Sequence, residues 1–384
     1  VERAAVSPDM SQPNTYLDWN ATTPPHPSVL AAMARAAEES WGNPSSTHRM
    51  GRKARALVED AREKLAEICA VHARDVLFTS GGTEANNLAL SSAVGLALTR
   101  LEHPSVTRVA EQLEQRGTPV GWVSVPASGR VEPEAYREAL QRLPRGSVAV
   151  LMAANHETGV LQPLEPVALI AHSLGATLHV DAVQALGKLP PESWRFADSL
   201  AVAAHKIRGP KGVGALAFRG TKAPKPVLVG GSQERGLRPG TVDPIAAAGF
   251  LAALEHSAQG PARYAKLKAL RDDFEHAFAS AAAVNGEGVA RLPHVSNLSF
   301  SGQSGDELVA ALDLLGVCVS SGSACSAGTT EPSSVISAML GRERARSAVR
   351  VSLGEDTSRE EIDAAKLALR RVLGLAVDNP SSDG

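Results

Sequence analysis

Val76-Leu77-Phe78-Thr79-Ser80-Gly81-Gly82-Thr83-Glu84-Ala85-Asn86-Asn87 joins a short apolar run to a glycine pair and then to a polar stretch of helical character. That order predicts a strand at Val76–Thr79, a turn at Ser80–Glu84 and a helix through Ala85–Leu98. Glycines between a strand and a helix let backbone amides face an anion. The helix N-terminus adds partial positive charge, and the Thr83 hydroxyl adds a donor. The segment is therefore a candidate phosphate cradle, the alternative being a plain capped turn with Ser80 or Thr83 at the helix start. Gly-x-Gly-x-x-Gly and the P-loop pattern are both absent, so neither a nicotinamide cofactor nor ATP is favoured.

Outward from this segment the same alternation recurs. Further strands are expected at Val120–Val125, Val148–Ala153, Thr177–Val180, Leu200–Ala204 and Val213–Phe218, separated by helical stretches. This is the pattern of α/β units on a mostly parallel sheet. A charged, Ala-rich stretch from Arg263 to Ala282 predicts an exposed helix, and the shorter strands Val295–Phe300 and Val317–Val319 flank a helix at Gly305–Leu315. The expected organisation is a large domain over residues 20–258 and a smaller α+β domain formed by residues 1–19 and 259–384.

A length of 384 residues suits two domains. With 39 Lys+Arg against 41 Asp+Glu the formal charge is −2, so no global field draws the chain to nucleic acid or anionic lipid. Aromatic residues make up 4% of the chain, which leaves few platforms for stacking bases. No apolar run approaches the roughly 18 residues of a membrane span, and Val1–Asn20 has no signal-type apolar core. Three cysteines do not make a disulfide framework and point to a reducing compartment. A soluble, cytoplasmic protein is expected.

Several residues then stand out for their chemistry. Asp181 ends the apolar run Thr177-Leu178-His179-Val180, where a carboxylate needs a cation or several donors. A protonated pyridine nitrogen is one such partner; a helix cap or structural ion pair is the other reading. Lys206 follows the apolar Leu200–Ala204 and precedes the turn Gly209-Pro210-Lys211-Gly212, so it can point into a crevice as a partly desolvated amine competent for a Schiff base. Its distance from Asp181 fits two successive strands ending at one sheet edge, where open α/β sheets bind ligands. Cys325 lies in the uncharged run Ser320-Ser321-Gly322-Ser323-Ala324-Cys325-Ser326-Ala327-Gly328 as an accessible thiol or an inert loop cysteine, whereas Cys69 and Cys318 read as packing residues. No zinc spacing is present, and His26, His48 and His172 read as surface or hydrogen-bonded structural residues.

Together with Leu17-Asp18-Trp19-Asn20-Ala21-Thr22-Thr23-Pro24, Gly42-Asn43-Pro44-Ser45-Ser46, Glu102-His103, Glu157-Thr158-Gly159, His179-Val180-Asp181-Ala182-Val183-Gln184, Gly240-Thr241 and Arg350, these segments run in order from Tyr16 to Gly354. In that order the chain closely resembles the pyridoxal-phosphate-dependent cysteine desulfurases of the nitrogen-fixation and iron–sulfur-cluster type, within the class V aminotransferase superfamily. The resemblance implies the aspartate aminotransferase-like fold, with a large mostly parallel-sheet domain and a smaller α+β domain carrying the cysteine loop. It implies pyridoxal 5'-phosphate held by Lys206, paired with Asp181 at its ring nitrogen and with Gln184 at its phenolic oxygen, and stacked under His103. The phosphate would meet Gly82, Thr83 and His205, with Thr241 supplied by the partner of a homodimer. Asn20, His156 and Arg350 would bind substrate, Arg350 through its bidentate fork.

The implied reaction takes L-cysteine to L-alanine, with Lys206 moving a proton and Cys325 taking the sulfur as a persulfide. An acceptor protein would then receive it for iron–sulfur clusters, thio-cofactors or thiolated tRNA. Other readings are a selenocysteine lyase, another class V aminotransferase, or a catalytically impaired sulfur-transfer scaffold. Asn155-His156-Glu157 stands where the family usually has Asn-Asn-Glu, Ala203 stands where a serine is frequent, and Trp19 occupies a commonly polar position.

Overall fold

The computed structural model describes residues 15–220, 223–322 and 331–376. Its strands are β1 (Thr15–Tyr16), β2 (Val76–Thr79), β3 (Leu96–Thr99), β4 (Val120–Val123), β5 (Val148–Met152), β6 (Thr177–Asp181), β7 (Ser199–Ala203), β8 (Gly214–Phe218), β9 (Ala283–Val284), β10 (Val295–Ser299), β11 (Val317–Cys318) and β12 (Ala348–Ser352). A seven-stranded sheet runs β2-β8-β7-β6-β5-β3-β4, with β8 antiparallel to both neighbours and the other pairings parallel. A second sheet of three antiparallel strands has the order β12-β10-β9, and β1 pairs with β11 in parallel. The architecture is α/β, as expected.

The central strands are buried along their length, because helices cover both faces of a parallel sheet and such strands read as continuous apolar runs. That property accounts for one correction. The helix after the glycine turn spans Gly82–Leu90 and stops, and Leu96–Thr99, expected to continue it, is β3. Gly95 and the two serines after Leu90 break the helix. The four residues beyond carry no alternation because both of their faces are buried.

A second correction concerns Arg263–Ala282, which is two short helices, Gly260–Ala265 and Lys268–His276. Tyr264, Leu267, Phe274 and Phe278 are buried in a core shared with Leu298, Phe300, Val349 and Ile362. The segment therefore roofs the three-stranded sheet with its aromatic residues, and of its charges Arg271 is buried, donating to the carbonyls of Leu292 and Val295. The main core lies against the seven-stranded sheet, and the helix Ser334–Leu340 adds Val335, Ile336 and Met339 to it. Among the described residues no helix is long and apolar enough to cross a membrane.

Three histidines serve as helix N-caps. His26, His48 and His103 each accept a backbone N–H in the first turn, from Ser28, Gly51 and Ser105. An unprotonated imidazole nitrogen does here what a Ser or Asp oxygen usually does. His172 instead meets Asp198 at 2.8 Å.

The outer edge of β2 is closed by a buried ion pair. Arg62 donates to both carboxylate oxygens of Glu234, at 2.7 and 2.8 Å, and to the Val76 carbonyl at 2.7 Å, while Phe78 N–H donates to Glu234 at 2.9 Å. An exposed edge strand would otherwise offer these groups to another chain. Glu234 and Arg235 adopt positive φ values of 47° and 59°, so this contact holds the turn in a left-handed conformation that non-glycine residues avoid. Glu234→Ala is predicted to cost about 3 kcal/mol, because it leaves the buried Arg62 with only the exposed Glu59 carboxylate at 3.1 Å. An unchanged urea unfolding midpoint would show that the pair contributes nothing.

Candidate active site

Five connections leave the sheet at the carboxyl ends of β2, β3, β5, β6 and β7, and all five reach one cavity of about 210 Å³. They bring Gly82 and Thr83, His103, His156, Asp181 with Gln184, and His205 with Lys206 to its wall. This is the edge at which open α/β sheets bind ligands. Asn20 and Ala21 close it from the segment after β1, and Arg350 closes it from β12 of the other sheet.

Asp181 is the last residue of β6, in register with Met152 and Ala201 on the flanking strands. It is buried and takes two donors, the Val183 N–H at 3.0 Å and Asn86 Nδ2 at 2.8 Å. Asn86 also donates to Ser105 Oγ, and its Oδ1 accepts from His179 Nε2 at 3.0 Å. The other nitrogen of His179 meets Ser199 Oγ at 2.8 Å. Burial pushes the pKa of His179 down to about 3, so the neutral ring carries its proton on Nε2 and aims Asn86 at Asp181. A line of hydrogen bonds thus fixes the carboxylate from behind.

The turn before the Gly82–Leu90 helix has the geometry of an anion cradle. Gly81 has φ 154° and no side-chain cap. A Cβ on Gly82 would lie 2.7 Å from Val183 Cγ2, so only glycine allows this close packing. Ser80 N–H is taken by Glu84, which Arg238 grips in turn, whereas the amides of the first helical turn have no intrahelical partner. Across the cavity, Lys206 Nζ donates to the carbonyls of Asn20 and Ala21, the latter at 2.7 Å. Gln184 Nε2 donates to the same Asn20 carbonyl at 2.9 Å.

Arg350 is buried, with Nη2 on Asp18 at 2.6 Å and Nη1 on the His156 carbonyl at 3.1 Å, while its Nε has no partner among the described residues. His156 is also buried, and its Nδ1 lacks a partner among the described residues. Burial, then His103, Arg350 and Lys206, hold the His156 pKa well below the usual range. The His103 pKa is lowered by burial and the Lys206 charge, against the pull of Asp181, and that of His205 falls to about 4. The imidazoles therefore line the cavity as neutral rings.

The aminotransferase class-V family matches residues 15–365. This chain belongs to the class-V aminotransferase family. A cysteine desulfurase of Cereibacter sphaeroides is 41% identical over 91% of this chain and 92% of its own length, and an IscS-like cysteine desulfurase of Mycobacterium tuberculosis is 37% identical over 91% and 94%. Among solved structures, a NifS-like protein of Rickettsia africae superposes with a TM-score of 0.86 at 28% identity, covering 94% of this chain and all of that one. The family's enzymes use pyridoxal 5'-phosphate, and the donor set fits it: an amine, a buried carboxylate held by two donors, and an uncapped helix start behind a glycine that cannot carry a side chain.

In this class-V chain the cavity gathers every site residue expected from the sequence within the described segments except Thr241, which is exposed and lies outside it. Cys325 falls outside the described residues. Ala203 lines the cavity, and Trp19 does not; the indole packs on Gly354, where a Cβ would collide with it, and lies under the Arg208 guanidinium. Asn86, His179, Ser105 and Asp18 were given no role by the sequence. His179 shares a strand face with Asp181 by the two-residue period, and Asn86 lies one helical turn from Gly82, so period was the available signal.

Proposed function

We propose that this chain is a pyridoxal-phosphate-dependent cysteine desulfurase in which Cys325 takes the substrate sulfur as a persulfide. The convergence of Lys206, Asp181, the Gly82–Thr83 turn and Arg350 on one cavity carries this reading. Bound there, the cofactor supplies a carbonyl carbon for an amine and a ring that accepts electrons from the substrate.

The chain's own residues do the rest. Lys206 would hold the cofactor's carbonyl carbon and carry the substrate's proton, Asp181 would keep the ring nitrogen protonated, and His103, fixed by its N-cap bond to Ser105 at 3.1 Å, would lie against the ring. The amides of Gly82 and Thr83 and the His205 ring would meet the phosphate, and Gln184 would meet the phenolic oxygen. Arg350 takes the carboxylate of L-cysteine, with Asn20 and His156 beside it. The Cys325 thiolate then forms an S–S bond with the substrate sulfur. The carbon–sulfur bond breaks with its electron pair on the carbon fragment, which is protonated to L-alanine.

Ser320 supports this role for Cys325. Its backbone pairs with that of Arg350 on both sides, so the chain leading to the thiol starts on the strand that bears the carboxylate clamp. Cys325 lies five residues beyond Ser320, within a reach of about 18 Å. The persulfide passes to an acceptor protein for iron–sulfur cluster, thio-cofactor or thiolated-tRNA synthesis, in the cytoplasm. A homodimer brings Thr241 of each chain to the phosphate of the other.

Cys325→Ala is expected to abolish sulfide release from L-cysteine in the presence of a reductant while the visible cofactor band stays. Desulfuration that persists in this variant removes Cys325 from the mechanism. Equal alanine yield with and without a keto acid separates a desulfurase from an aminotransferase, and the same assay with selenocysteine separates it from a selenocysteine lyase.

A further inference from the structure

Lys188 is 3% exposed and has no carboxylate beside it. Among the described residues its Nζ makes one hydrogen bond, to Gln184 Oε1 at 3.0 Å, and lies 6.0 Å from the centre of the Tyr264 ring. The spacing has a local cause. After Asp181 the chain makes one helical turn, with Leu186 N–H on the Ala182 carbonyl, and Gly187, at a positive φ of 68°, then folds it back so that the N–H groups of Lys188 and Leu189 both meet the Ala185 carbonyl and the Lys188 side chain returns over Gln184. A buried lysine facing only an amide is costly, and packing alone would be better served by methionine.

The other charged and titratable groups around Lys188 give it no anion. Lys206 repels it, and with burial this lowers its pKa to about 7; His205 and His294 are held neutral partly by its own field. His294 is engaged with Asn20 Oδ1 at 3.0 Å, and its ring packs edge-on to Tyr264. As amine or as ammonium, Lys188 still donates a hydrogen to Gln184.

We infer that Lys188 is a positioning residue for the cofactor, locking the Gln184 amide so that a donor, never an acceptor, meets the phenolic oxygen. The amide is clamped at both ends. Oε1 takes the Lys188 hydrogen, and Nε2 gives one hydrogen to the Asn20 carbonyl, the same oxygen that receives Lys206. A flipped amide would set carbonyl against carbonyl at Asn20 and N–H against N–H at Lys188. The second Nε2 hydrogen is left for a ligand in the cavity that Gln184 lines. The inference rests on the reading of Gln184 as the residue at the phenolic oxygen.

The test is the pH titration of the visible absorption band of the holoenzyme, with cofactor affinity measured by titrating apoprotein with pyridoxal 5'-phosphate. A hydrogen bond to the phenolate disfavours protonation of the adjoining Schiff-base nitrogen less than full charge would, yet its loss is readable. In Lys188→Met the midpoint is expected to rise by about one unit and the affinity to fall about tenfold, the size of one hydrogen bond to a charged group. Lys188→Gln, which keeps a donor, should recover most of both. Lys188→Ala takes the place of the Met variant if that chain does not fold by circular dichroism.

Gln184→Ala separates the two readings. If it raises the midpoint while folded Lys188→Met leaves it at the wild-type value, the assignment of Lys188 is overturned and that of Gln184 stands. If Gln184→Ala itself leaves the midpoint unmoved, the placement of Gln184 fails and takes the inference with it. A Lys188→Gln variant no better than Lys188→Met also overturns the inference, since the lost property would then not be the donor.

Discussion

Lys206→Ala is expected to lower turnover of L-cysteine by about 10²–10⁴-fold, the range of a lost general acid–base group, before the lost covalent hold on the cofactor is counted. The argument is positional. Lys206 leaves the carboxyl end of β7, beside β6 with Asp181 at its end, and its Nζ is tethered by two backbone carbonyls at the cavity wall. Acylation, reduction or substitution of a surface lysine would not do the same. Borohydride reduction of the wild-type holoprotein should fix the cofactor's mass on the peptide that contains Lys206, and the variant should carry none there. The second buried lysine makes this test discriminating, because Lys188 is a neighbouring amine with a pKa lowered to about 7. A label found on Lys188, or unchanged turnover in Lys206→Ala, would sink the assignment. Lys206 is only half-buried, so the apoprotein should keep its thermal midpoint and the loss can be read as chemistry.

The cavity's electrostatics bear on what it selects. Lys206 and Arg350 supply positive charge at the wall, Lys188 lies behind it with a pKa lowered to about 7, and the imidazoles of His103, His156 and His205 at the wall and of His179 behind it are held neutral, chiefly by burial. Glu102 is buried beside Asp181, and burial, then the Asp181 charge, raises its pKa well above the usual range, so it adds a neutral acid. In the proposed site Asp181 would face the ring nitrogen, while Lys206 and Arg350, the latter paired with Asp18, would meet the anionic groups of cofactor and substrate. A chain whose total charge is nearly zero thus concentrates its specificity within one pocket.

The glycine turn, Asp181 and Lys206 were legible because each sits where an apolar run stops, and a run that ends at a sheet edge delivers its next residue to the crevice. The same rule failed for Leu96–Thr99, where a buried strand looks like more of the preceding helix. It could not reveal the Arg62–Glu234 closure of β2 either, because those residues are far apart in sequence and meet only when the edge strand exists. The Asn86–His179 support of Asp181 was hidden for a different reason. Asn86 read as a helix residue and His179 as part of a strand, and only their packing at the sheet surface turns two ordinary polar residues into one hydrogen-bonded line. Lys188 has no signal of its own in the sequence, because it meets Gln184 only where Gly187 turns the chain back at a positive φ.

Arg350→Lys should raise KM for L-cysteine about 10–100-fold with a smaller effect on kcat, since it keeps the charge and loses the planar guanidinium, with its Nε donor, that the proposed role offers to the substrate carboxylate. Arg350→Ala should do worse, lowering kcat/KM by about 10³-fold, because two effects combine. The charge-assisted bonds to substrate vanish, and Asp18, which pairs with Arg350 at 2.6 Å, is left to face the incoming carboxylate without its counter-ion. The backbone of β12 is set by pairing with Asn297 on one side and Ser320 on the other, so the side-chain change leaves the strand in register. Steady-state kinetics over a range of cysteine concentrations checks this split. Binding lost equally in ground and transition states appears in KM. A fall in kcat at constant KM would instead mean that Arg350 acts through Ser320 on the delivery of the Cys325 thiol, and a wild-type KM in both variants would remove Arg350 from substrate recognition. Among the described residues the Nε of this buried guanidinium has no partner, which argues for the first outcome: a donor left over in the site can be taken by an anion that arrives with the substrate.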